Sequence, residues 1–159
     1  MTRLMLAAGR WQGRGSYLHK DQSLATQIEC TFEVATESVG AHIKGTQTLK
    51  GGGGQHAFGI WITGNETGTY DIAAQFGSFD LSGTAKLESF PNLGMLWSKD
   101  GVVQVAFTVF ELRVGRGFRG FCRTAEHFVS WEMALEEVRL AAARDARNVV
   151  SIDPRNRRR

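Results

Sequence analysis

Proline, cysteine, paired histidines and long apolar runs are all scarce in this chain, and each scarcity removes a class of protein. Cys30 and Cys122 are the only cysteines among 159 residues, too few and too far apart for a disulfide framework or a zinc site. Both fall within apolar alternation, as buried free thiols do. The four histidines, His19, His42, His56 and His127, never occur two apart on one strand, so no metal site is expected. No stretch approaches the roughly 18 apolar residues of a membrane-spanning helix, and no charged start is followed by an apolar run and a small-residue cleavage site. The expectation is a cytoplasmic protein with no membrane partner.

Charge of one sign is also missing from the body of the chain. The net charge is +3, and the last nine residues hold Arg155, Arg157, Arg158 and Arg159 against Asp153 alone, which accounts for all of it. A surface that displaces counterions from phosphates needs clustered Lys and Arg on folded structure. No nucleic-acid partner is expected, and residues 151–159 read as a flexible Arg-rich tail behind one domain over 1–150.

What the chain does have is glycine, 19 of them against two prolines, and alternation of period two. Ile28, Cys30, Phe32 and Val34 alternate with Glu29, Thr31 and Glu33, and Phe79, Leu81, Gly83, Ala85 and Leu87 alternate with polar neighbours. Val103 to Val109 and Val129 to Leu135 repeat the pattern. Such alternation puts one row of side chains into a core and the other into solvent. Turn signals at Gly51–Gly54, Gly64–Gly68, Pro91–Gly94, Lys99–Gly101 and Gly115–Gly117 fall between the runs. Strands are expected near 10–19, 25–37, 39–49, 55–63, 68–76, 79–88, 93–98, 102–113, 117–125 and 127–136. The fold class is all-β: an antiparallel up-and-down meander of about ten strands, closed into a barrel because closure removes exposed edges. Residues 2–8 read as a short helix or plug, and the alanine-rich run from Glu137 to Val149 as a short C-terminal helix.

Ahead of the first strand's Tyr17 stand Gly9, Trp11, Gly13 and Gly15 in the pattern G-x-W-x-G-x-G. The motif resembles the N-terminal signature of the calycin barrels, which include the lipocalins, and is similar to the nitrobindin-like branch related to fatty-acid-binding proteins. The resemblance implies a barrel holding a small apolar ligand. Physically, Trp11 suits the plugging of a narrow barrel end and the glycines suit close strand crossing. Nitrobindins hold haem through a histidine beyond the last strand. The matching region here, about Arg139 to Arg147, has none, so no cofactor is expected and His127 is the one axial candidate.

No serine stands in G-x-S-x-G and the Gly51–Gly54 run lacks the Lys-Ser/Thr of a phosphate loop, so no catalytic residues are assigned. The expected ligand walls are Phe58, Ile60, Phe79, Phe107, Trp131 and Met133. Two polar anchors are candidates. His56 shares parity with Phe58, Ile60 and Ile62. Arg119 and Phe121 share a row with Arg123, opposite Phe118, Gly120 and Cys122, and Arg119-Gly120-Phe121 resembles the inward arginine and following aromatic of fatty-acid-binding barrels. An inward Arg119 requires an anion, a ligand carboxylate or Glu111; the other arrangement is a solvated hairpin with Cys122 in the core. The expected function is non-enzymatic binding of a small, largely apolar ligand, with a small enzyme on the same scaffold or a filled, oligomerising barrel as alternatives. A homodimer is compatible with all three.

Overall fold

Period-two alternation needs a partner for every strand edge, and the chain supplies one by returning on itself. In the computed structural model, which describes residues 4–139, ten strands follow in order: β1 (Gly9–His19), β2 (Thr26–Glu37), β3 (Gly40–Leu49), β4 (Gly54–Gly64), β5 (Tyr70–Phe76), β6 (Phe79–Lys86), β7 (Asn92–Ser98), β8 (Gln104–Glu111), β9 (Arg116–Arg123) and β10 (Phe128–Glu137). Each pairs antiparallel with its sequence neighbour, and β1 pairs with β10 to close the barrel. The seam runs from Trp11 opposite Glu137 to His19 opposite Val129. The expected helix is not found where it can be checked: Glu137 is the last residue of β10, and residues 140–149 and the tail lie outside the described residues.

The inward rows form one core. Trp11, Phe32, Val34, Ile43, Ile62, Tyr70, Ile72, Leu87, Val109 and Leu135 are all buried. One end of the barrel is closed. The segment before β1 is not helical but crosses that end, burying Met5 and Leu6. It is tied down by the Met5 N–H donating to Asn92 Oδ1 at 2.9 Å and by Arg116 Nε donating to the Met5 carbonyl at 3.1 Å. These bonds satisfy backbone groups that would otherwise be stranded away from water. Trp11 plugs the same end. Its ring stacks on Phe32 at 6.4 Å and its Nε1 donates to the Ala7 carbonyl at 2.9 Å. Gly15 lets β1 and β10 approach: a β-carbon there would collide with the Glu132 carbonyl oxygen.

Candidate functional site

Toward the other end of the barrel the inward side chains are less covered, and the candidate site follows from that change of burial along the strands. On β4, β8 and β10 the inward apolar side chains toward the closed end, Ile62, Val109 and Leu135, are covered. Toward the opposite end Phe58, Ile60, Val105, Phe107, Phe118, Trp131 and Met133 remain partly open to solvent. Ile28, Ala74, Leu81 and Leu96 stay covered, so packed aliphatics bound the space on the remaining sides. These less-covered inward positions, rich in aromatic rings, form the candidate cup. Phe58 stacks on Phe76 at 5.4 Å, and Phe118 meets Phe107 at 6.0 Å and Trp131 at 5.6 Å. Trp131 Nε1 is covered and has no hydrogen-bond partner among the described residues.

Among the described inward positions, Glu111, Arg116 and Glu137 fall at the closed end, and His19 and His56 at the open rim. Between them the polar groups include the thiols of Cys30 and Cys122. Burial pushes the Cys30 thiol up to about 11, with the Cys122 thiol raised by the same cause. Both are neutral at physiological pH and poor nucleophiles.

Phe58, Ile60, Phe107, Trp131 and Met133 thus stand where the sequence pattern puts them, on the inner wall. Phe79 is on the same row but at the rim, where it is exposed. His56 also has inward parity, yet it lies beyond the cup at the β3–β4 turn, exposed, with Nε2 bonded to the Gly53 carbonyl oxygen at 3.0 Å. Arg119 and Phe121 face outward. Arg119 Nε pairs with Glu132 at 3.0 Å, their side chains 58% and 69% exposed, and the guanidinium lies 5.0 Å above the Phe110 ring. The cause is Phe118: its contacts with Phe107 and Trp131 turn it inward, and a period of two then sends Arg119, Phe121 and Arg123 to solvent. Gly120 completes the arrangement, since a β-carbon there would occupy the space of the Trp131 ring.

Two hollows lie on the outer face. One, about 620 Å³, runs over β1 and β8–β10 past Leu18, Ala106, Arg119, Phe121 and Ser130. The other, about 480 Å³, has Ala73 and Ser82 as its floor and Trp61 and Trp97 at its sides. His42 stacks on Trp61 at 5.0 Å. Sequence reasoning did not single out these tryptophans. The available signal was parity: each falls on the outward row, beside Ile60 and Ile62 or beside Leu96.

No known family, curated protein or solved structure matches the chain. No three His, Cys, Asp or Glu side chains converge as metal ligands among the described residues. Haem fits this cup poorly: the inner wall offers no imidazole below the rim, and His127 lies in the β9–β10 turn with its ring edge-on to His19 at 6.3 Å. No described helix is long and apolar enough to cross a membrane.

Proposed function

We propose that this chain is a calycin-like barrel that binds a small, largely apolar ligand in the cup, without catalysis. The observation that carries the reading is the asymmetry of the interior. Closed-end residues pack as a core, while a ring of inward phenylalanines, Trp131 and Met133 keeps partial access to solvent from one end. Apolar surface left wet inside a barrel is stabilised when a ligand covers it, by roughly 25 cal/mol per Å². The closed ten-strand barrel, with Trp11 buried at one end, is compatible with the G-x-W-x-G-x-G resemblance and supports this reading. Protein purified from cells and weighed by native mass spectrometry, against its denatured mass, is expected to carry a stoichiometric small-molecule adduct. An apo mass together with failure of apolar probes to bind would refute the reading.

A second reading, self-association, rests on the outward row of β7. Leu93, Met95 and Trp97 are 49%, 57% and 43% exposed, an apolar ridge of the kind that marks interfaces. Sedimentation of the parent and of Met95→Lys over a range of concentrations tests it, with a monomer throughout as the refuting result.

A further inference from the structure

The chemistry of a ligand in the cup follows from where the nearby basic side chains stand. Arg119 is outside the barrel, held by Glu132 and Phe110. Arg116 is at the closed end, where Nε donates to the Met5 carbonyl and Nη1 to the Gly115 carbonyl. His56 bonds to Gly53 at the rim. Among the described residues, no lysine, arginine or histidine stands on the inner wall between the rim and the closed end. An anion entering the cup would lose its hydration and gain no cation, which is the unfavourable half of a buried ion pair.

One donor of an inner-wall side chain has no partner among the described residues. Trp131 Nε1–H is covered and unpartnered, and its ring is held against the wall in the space that Gly120 leaves. A buried N–H without an acceptor costs free energy that a ligand oxygen would recover. The other inward side chains are rich in flat rings: Phe118 adjoins Trp131 and Phe107, and across the barrel Phe58 stacks on Phe76.

We propose that the cup selects uncharged ligands: flat, apolar molecules carrying one hydrogen-bond acceptor for the Trp131 indole, and not fatty acids or other carboxylates. The inference rests on the cup-binding reading and sharpens it. It is the reverse of what an inward Arg119 would have favoured.

The test compares two fluorescent probes that differ by a single sulfonate, neutral N-phenyl-1-naphthylamine and anionic 1-anilinonaphthalene-8-sulfonate. Binding inside the cup is the part weakened in Val105→Phe or Ile60→Phe, either of which adds bulk to the inner wall and leaves the outer face unchanged. The neutral probe is expected to bind inside at least about tenfold more tightly than the anionic one. In competition for the neutral probe's site, 2-acetylnaphthalene is expected to bind about three- to tenfold more tightly than 2-ethylnaphthalene, and Trp131→Phe to erase that difference. Equal interior binding of the two probes overturns neutral selection while leaving the cup reading intact. Equal binding of the acetyl and ethyl compounds in the parent overturns the role of Trp131. Failure of both probes to bind inside overturns the cup reading itself.

Discussion

Replacing Trp11 by alanine removes the plug of the closed end, and the structure fixes the size of the effect. The side chain is 5% exposed, stacks on Phe32 and donates to the Ala7 carbonyl. A buried indole of about 150–250 Å² is worth roughly 4–6 kcal/mol by area, an upper estimate because unfolded chains are already partly compact. Measured truncations of buried aromatics cost about 3–5 kcal/mol, and that is the loss expected here. Part of it comes from the Ala7 carbonyl left without its donor. Urea denaturation followed by far-UV circular dichroism is the assay, since the backbone signal does not depend on the deleted indole. With a slope of roughly 1–3 kcal/mol per molar, the midpoint should fall by about 1 M or more at unchanged slope. Trp11→Phe keeps the contact with Phe32 and should lose less. A loss below about 1 kcal/mol for Trp11→Ala would refute the plug.

Three further outcomes are expected. Gly15→Ala should destabilise by about 1–3 kcal/mol, the usual cost of overpacking, because the new methyl group meets the Glu132 carbonyl across the seam; unchanged thermal stability would mean that β1 and β10 are not so close. Arg119→Met should leave stability within about 0.5 kcal/mol, as for most exposed ion pairs, and a loss above 2 kcal/mol in the same melts would place Arg119 inside. Because burial raises the Cys30 thiol to about 11, the fold favours its protonated form; stability is full below the ordinary thiol range and falls as pH rises from there toward 11. Cys30→Ala should therefore flatten the alkaline limb of the melting temperature against pH, and an unchanged limb would show that the thiol is not desolvated.

Strands were legible in the sequence because one row of each is apolar and the other polar, as in Ile28–Val34 and Leu81–Leu87. That signal fails on β9. Arg119, Phe121 and Arg123 on one row and Phe118, Gly120 and Cys122 on the other each mix an aromatic with something unsuited to a core wall, and only the contacts of Phe118 across β8 and β10 decide the matter. His56 shows a different limit. Parity gives direction but not depth along the barrel, and this residue points the right way from a place beyond the cup. The partial opening of the interior was also out of reach, since it depends on how far each inward residue lies from the plugged end.

The β1–β10 seam has a topological consequence. Trp11 stands opposite Glu137, so the first and last strands are side by side and the ring of ten has no privileged starting point. A short linker from residue 139 back to residue 4 would make the ring continuous, and new ends could be cut in the exposed Gly51–Gly54 turn. Every ladder would survive in such a circular permutant, but β4 and β3 would become the first and last strands. The hairpin between them, now local, would become the long-range closure that β1 and β10 make in the native order.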